Sequence, residues 1–276
     1  NGQILGYPFI QSIKSVLSIV DEFVINIGKS EDDTLDQVRS ISSPKIRIIE
    51  SNWNDSMQDR GFVYGQQKMI AQYNCTGDWA FYIEADEIYH ESDLVKIKAS
   101  MERYLGDSTI EALVTNFYHF YGNGNSILNS PGWYRSEARI IRNSIRSYAP
   151  DGLFWLVLDS NKKGRYPRAK HTGVTCYHYG WVRSEKQMNL KSSKVQKYWG
   201  GEPVIIDYSK MDQSIIKEFM GTHPEIVKDW LPQDIGLYVA DPAYKLTQKQ
   251  KKHRVMMRLE KLFGLDLSKK HYKLVK

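Results

Sequence analysis

The chain has 276 residues, 41% hydrophobic and 25% charged, the balance of a folded globular protein with one large domain or a domain plus an appendage. No apolar run reaches membrane-span length. Two cysteines, Cys75 and Cys176, argue against a disulfide scaffold or a cysteine-built zinc site and fit a reduced, cytoplasmic setting. The net charge of +6 is uneven: from Tyr244 to Lys276 there are eleven Lys/Arg against two acids, so the remainder is net acidic and the basic character belongs to the tail.

Asn1-Gly2-Gln3 reads as a loop that follows a strand, so a preceding segment is expected; no signal peptide is visible. Pro8 can open a helix, with Ile10, Ile13, Leu17 and Val20 on one apolar face. Residues 22–27 read as a short buried strand, 28–34 as a polar loop and 45–49 as the next strand. A loop over 51–58 leads to a helix over about 59–73, a strand over 79–84, and a helix capped by Ser92 or Asp93. This α-β-β-α-β-α alternation predicts a mostly parallel, doubly wound sheet for the first ~105 residues. Closer-spaced strands follow at 110–118, 138–142, 153–158 and 174–179, separated by a Gly/Asn/Ser-rich loop (122–132) and a basic loop (161–170). From Ser184 onward the chain reads mainly helical. The expected organisation is a domain over 1–183, with a nucleotide half to about 105 and an acceptor half over 106–183, and a helical, basic extension over 184–276.

The most telling stretch runs from Thr76 to Glu87. A turn feeds an apolar, aromatic strand that stops at three acids, Glu84, Asp86 and Glu87. Acids at the end of a buried strand are costly unless they meet a cation or water, and in open α/β sheets ligands bind at the carboxyl ends of strands. Hard oxygen ligands there suit Mg²⁺ or Mn²⁺ carrying a diphosphate.

The stretch resembles the acidic metal motif of family-2 GT-A glycosyltransferases. Ser30-Glu31-Asp32-Asp33-Thr34 matches the Ser-x-Asp-x-Thr that these enzymes place after their second strand, and residues 61–77 occupy the place of their next helix and turn. Glu84-Ala85-Asp86 stands where the family has Asp-x-Asp, so the first acid is replaced. Ala85-Asp86-Glu87-Ile88-Tyr89-His90-Glu91, Tyr177-His178-Tyr179-Gly180-Trp181-Val182-Arg183 and Gly221-Thr222-His223-Pro224 resemble runs shared by a bacterial subgroup that builds surface polysaccharides and lipopolysaccharide. The resemblance implies a GT-A mixed sheet flanked by helices. It also implies transfer of a hexose-type sugar from a UDP-, GDP- or dTDP-sugar to a glycan or lipid-linked glycan, metal-dependent and inverting, at the inner face of a membrane.

It implies site residues as well. Asp86 is the first metal ligand; its rival reading is a helix N-cap. His178 is the second, a satisfied core histidine being the alternative and His171 the fallback. Asn26 and Asp32 face the base or ribose, although Asp32 also suits plain turn chemistry. Glu84 contributes to the donor site, and Lys68 and Arg183 neutralise the diphosphate, a solvent-exposed lysine being the usual fate of such a residue. The catalytic base is Asp151 or Glu137. Trp133, Trp155 and Trp181 are candidates for stacking on sugars or for core packing.

The tail interleaves Lys249, Lys251, Lys252, Arg254, Arg258 and Lys261 with Val255, Leu259, Leu262 and Phe263 at helical spacing. That is a basic amphipathic helix suited to an anionic membrane surface, or else a helix docked on the domain with a solvated basic face. Nucleic acid is disfavoured, because the tail lacks interleaved aromatics. A nucleotidyltransferase is disfavoured because no glycine-rich phosphate loop is present. A GT-A-like domain that binds nucleotide sugar or glycan without turnover stays as the alternative.

Overall fold

The structure is a computed structural model that describes residues 1–233 and 237–275. It is a mixed α/β chain. After Pro8, helix α1 (Phe9–Val16) leads to β1 (Phe23–Gly28), α2 (Thr34–Arg39) and β2 (Ile46–Ser51). The strands β1 and β2 pair in parallel with Phe23 opposite Ile46 and Gly28 opposite Ser51, as a helical crossover requires. Phe9 and Ile13 of α1 and Val38 of α2 pack together against apolar side chains of both strands.

Helix α3 (Phe62–Tyr73) precedes β3 (Trp79–Phe81) and β4 (Glu87–Tyr89), and α4 (Leu94–Arg103) follows. The strand expected over 79–84 therefore ends early. Beyond Phe81 the chain turns through Glu84–Glu87, where the Glu87 N–H donates to the Glu84 carbonyl at 3.0 Å. Asp93 stands at the N-cap of α4 without a side-chain cap bond, while His90 caps the short turn before it by accepting from the Ser92 N–H. Asp86 caps neither.

The centre of the larger sheet is the parallel pair of β5 (Ala112–Tyr121) and the long strand β11 (Arg168–Trp181). The segment 122–132 is not wholly a loop. Gly122, at φ +72°, turns the chain into β6 (Asn123–Leu128), which pairs antiparallel with β5. Strand β7 (Ser136–Arg142) joins β5 to β3, antiparallel to both. The short strands β8 (Ser147–Tyr148), β9 (Leu156–Leu158) and β10 (Gly164–Arg165) form a separate antiparallel sheet. The expected basic loop at 161–170 thus contributes β10 and the start of β11. Around Ala169, which is buried, Arg168 points outward and Lys170 is half-buried, an alternation that a tally of charges hides.

Beyond Ser184 the helical expectation is corrected. Helix α5 (Glu185–Val195) and α6 (Gln248–Phe263) are regular, but the stretch between them is mostly irregular, with single 3₁₀ turns and the strand β12 (Ile216–Glu218). Gly200, Gly201, Pro203, Gly221, Pro224, Pro232 and Pro242 interrupt any helix there. Strand β12 pairs with β6, and β13 (Lys273–Leu274) pairs with the beginning of β11, so the C-terminal third returns twice to the main sheet.

Candidate active site at the acidic turn

The three acids at the end of β3 meet three different fates. Glu87 is fully buried and paired with the equally buried Arg139 of β7, whose Nε lies 3.1 and 3.0 Å from the two carboxylate oxygens. Arg139 also donates to the Leu153 carbonyl at 2.9 Å. This is a structural ion pair beneath the turn. The Glu84 side chain, 34% exposed, lies 3.7 Å from the Arg139 guanidinium and lines the cleft above it. Desolvation, with Glu87 adding repulsion, raises its carboxyl to about 8. The Ser12 hydroxyl of α1 donates to the Glu84 carbonyl at 2.8 Å, tying the turn to the first helix.

Asp86 is buried beside two cations and an imidazole. The His178 Nε2 stands 3.7 Å from Oδ1; Arg183 Nη2 and Lys191 Nζ stand 3.3 and 3.6 Å from Oδ2. Burial alone would raise the carboxyl, but Lys191 and Arg183 outweigh it and hold Asp86 well below the usual carboxylate range. Lys191 is likewise held charged: burial opposes its ammonium, but Tyr7 and Asp86 more than compensate. The Asp86 carbonyl accepts from the Tyr179 N–H at 2.8 Å, which fixes the turn to β11. Arg183 is itself clamped, donating to the carbonyls of Gly6 at 3.1 Å and Gly180 at 2.5 Å and lying 4.0 Å over the Tyr7 ring.

Hydrogen bonding decides which nitrogen His178 presents. His119 Nε2 is 2.7 Å from the Tyr134 carbonyl and must donate there. Its Nδ1, 3.0 Å from His178 Nδ1, is therefore the acceptor. His178 carries its proton on Nδ1 and turns the lone pair of Nε2 toward Asp86, the tautomer a metal-binding histidine needs. Burial, reinforced by His178, pushes His119 down to about 3, so it stays neutral. A Cβ on Gly180 would fall 2.5 Å from the His178 ring, which explains a glycine two residues after that histidine.

A cavity of about 1650 Å³ runs along β1 and β3, from the residues before each strand to those beyond its carboxyl end. Asn26, Trp53, Tyr64, Lys68, Glu84, Asp86, His178 and Lys191 line it. Asn26 donates to the Gln67 carbonyl and side chain at 2.9 and 2.8 Å, yet its Oδ1, like the Tyr64 hydroxyl, is buried without a partner. Trp53 packs on Tyr64 and Tyr198 at centroid separations of 5.1 and 5.3 Å. Its indole edge lies against Gly28, where a Cβ would meet the indole nitrogen at 2.4 Å. Lys68 is buried rather than exposed, 3.4 and 4.1 Å over the rings of Trp155 and Tyr82, and bonds the Gly152 carbonyl at 3.3 Å. Burial, with Arg139 adding repulsion, lowers its ammonium to about 7.

Other sequence candidates lie elsewhere. Asp32 holds its own turn, accepting from the Ile4 and Thr34 N–H groups at 2.9 and 3.1 Å, and is not among the cleft-lining residues. Neither is Asp151, which accepts from the Leu153 N–H at 2.8 Å. Glu137 is buried inside β7 and sits 2.5 Å from His271 Nδ1 near the C-terminus. His171 lies against Tyr272. Trp133 and Trp181 pack on each other at 5.8 Å in the core around Tyr121, and Trp155 is buried at the cleft floor with its indole donating to Gln72.

Lys191, Trp53, Tyr64 and Tyr198 were not anticipated. A signal for Lys191 was present: Ser184 and Gln187 form a capping box that opens α5 directly after Arg183, and Lys191 follows Gln187 one turn on. The three family-like runs also converge. His90 bonds Thr222 at 3.1 Å, Tyr179 bonds His223 at 2.8 Å, and the Glu225 N–H donates to Glu91 at 3.2 Å.

No family model matches the chain, and no curated protein matches it. Among solved structures it is similar to the crystal structure of S. aureus TarS 1-349, at 16% identity over 50% of this chain and 45% of that one, with a TM-score of 0.32. A likeness so partial leaves the reading of function to the site itself.

Proposed function

We propose that this chain is a GT-A-type glycosyltransferase that carries a sugar from a nucleoside diphosphate sugar to an acceptor hydroxyl of a glycan or lipid-linked glycan. The observation that carries the reading is the constellation at the acidic turn: Asp86 beside the lone pair of His178, with Arg183 and Lys191 against it and Lys68 lining the same cavity. In such a transfer the acceptor oxygen bonds to the anomeric carbon, the bond to the diphosphate breaks, and negative charge grows on the leaving group. Preorganised cations in a desolvated cleft stabilise that charge.

Among the described residues no group of three or more His, Cys, Asp or Glu is arranged to hold a metal. The pair Asp86 and His178 nevertheless suits Mn²⁺ or Mg²⁺ delivered with a diphosphate, since such ions take one or two protein ligands and fill the rest from phosphates and water. Asp86 Oδ1 and His178 Nε2, 3.7 Å apart, are the residues that would hold such an ion. Bound there, the ion would add charge neutralisation at the diphosphate. The chain's own contribution is independent of it: Lys191 and Lys68 meet the phosphates, and Arg183 holds Asp86 in place from behind. The Trp53 face and the unpartnered Asn26 Oδ1 and Tyr64 hydroxyl suit a base and ribose.

That neither Asp151 nor Glu137 lines the cleft favours the second reading, a domain that binds nucleotide sugar without turnover. Thermal-shift titration with UDP, GDP, dTDP and CMP, each with and without Mn²⁺, tests the donor site. One nucleotide is expected to raise Tm in a metal-dependent way, with the rise lost in Asp86→Ala and in His178→Ala. No shift from any nucleotide would remove the donor-site assignment. A shift without hydrolysis or transfer of the matching nucleotide sugar would select the binding reading.

A further inference from the structure

Helix α6 faces the wrong way for a helix whose purpose is to complete the core. Its inward side is polar and ion-paired. Arg254 donates to Asp212 at 2.7 Å through both Nε and Nη2, and Glu260 accepts from Arg135 at 2.7 and 2.8 Å. His253 rests on Gly132, and Met257 reaches the cluster around Tyr121 and Tyr208. The outward stripe runs Lys251, Lys252, Val255, Arg258, Leu259, Leu262 and Phe263, at the i, i+3, i+4 spacing of one helical face. Its apolar members are open to solvent: Val255 is 53% exposed, Leu259 41%, Leu262 73% and Phe263 62%. Leu265, just past the helix end, extends the patch.

The charge around this patch has one sign. From Tyr244 to Lys276 the acids are Glu260 and Asp266. Glu260 is bound to Arg135, and Asp266 is bound to Arg135 and Lys270. Lys251, Lys252, Arg258 and Lys261 are exposed beside the apolar residues. The helix is firmly bounded, by a capping box between Thr247 and Gln250 at one end and by Gly264 at φ +64° at the other, so the stripe is presented as a rigid element. An apolar row at one end with basic residues flanking it is the pattern that inserts side chains at the headgroup boundary while lysines meet anionic lipid. Among the described residues no helix is long and apolar enough to cross a membrane, so contact through α6 would be peripheral.

We propose that the outward face of α6 is a docking surface for an anionic lipid bilayer, with Leu259, Leu262 and Phe263 entering the interface and Lys251, Lys252, Arg258 and Lys261 engaging the headgroups. The reading stands apart from the donor site and does not need it.

Co-sedimentation of the full chain with phosphatidylcholine vesicles, with and without phosphatidylglycerol, tests the proposal. Binding is expected on the anionic vesicles, weakening as salt rises, with roughly fivefold loss of affinity for each exposed basic residue neutralised. The Leu262→Ser, Phe263→Ser double variant is expected to bind at least tenfold more weakly with unchanged circular dichroism. The Lys251→Glu, Lys252→Glu variant tests the charge component without touching the apolar residues. Failure to bind anionic vesicles, equal binding to neutral ones, or self-association of the wild type that the double variant abolishes without any vesicle binding would each overturn it.

Discussion

At the residue scale the acidic turn shows how neighbouring acids of one short sequence meet different cations. Glu87 is buried as deeply as the core leucines and is tolerated because Arg139 lies against both of its oxygens. Removing one partner of such a pair leaves an uncompensated buried charge. Glu87→Gln is accordingly expected to destabilise the protein by about 3–5 kcal/mol, measured by urea denaturation at pH 7. If the loss stays below about 1 kcal/mol, the pair does not hold the turn. Asp86, one residue earlier, is equally buried but lies beside His178 and Lys191, which also line the cavity. The sequence announced three costly acids. It did not say which would be neutralised by Arg139 and which by Arg183 and Lys191, because those cations come from residues 52 to 105 positions away.

At the level of elements, local signals and tertiary signals divide cleanly. The cap of α6 is local: the Gln250 N–H donates to the Thr247 hydroxyl at 3.2 Å, and the Thr247 N–H donates back to the Gln250 side chain at 2.8 Å. Thr247→Ala should cost about 1 kcal/mol, the usual price of an N-cap. Native-state hydrogen exchange should show lost protection in the first turn of α6, with little change in the central pair β5 and β11. Uniform loss across the sheet would mean that α6 is cooperative with the core rather than a docked element. By contrast, the length of β11 was not legible. Residues 168–173 are too polar to read as a strand, and of them only Ala169 is buried; they are drawn into β11 because β5 offers a parallel edge on one side and β13 pairs with Arg168 and Ala169 on the other.

For the whole molecule, the C-terminal third behaves as part of the fold rather than as a detachable tail. Its strands β12 and β13 pair with β6 and β11. Elsewhere in the sheet Glu111, just before β5, holds the start of β11: it accepts from Arg165 at 2.7 Å through both oxygens and from Arg168 at 3.0 Å. Burial opposes its charge, but Arg165 and Arg168 lower its carboxyl below 4.5. A depressed carboxylate contributes stability above its unfolded pKa, and that stability is lost as pH falls through the folded value. Glu111→Gln should therefore cost about 2 kcal/mol near neutrality. The gap to wild type should close as pH drops below 4.5 in denaturation series taken across that range. A gap that persists at pH 3 would show that the residue acts through packing instead.

The sequence by itself determined α1, β1, β2, α3, β3 and α4 in that order, though not α2 or β4 between them, the run of costly acids after β3, and the basic amphipathic character of α6. All of these are written in periodicity, capping and composition over short windows. Only the tertiary structure decided that Asp151 and Glu137 lie outside the cleft, that Lys68 is buried between aromatic rings, that Lys191 joins Asp86, and that α6 turns its apolar row outward. Those facts depend on which distant surfaces meet, and a one-residue change of register or half a turn of helix would alter each of them without changing any local pattern.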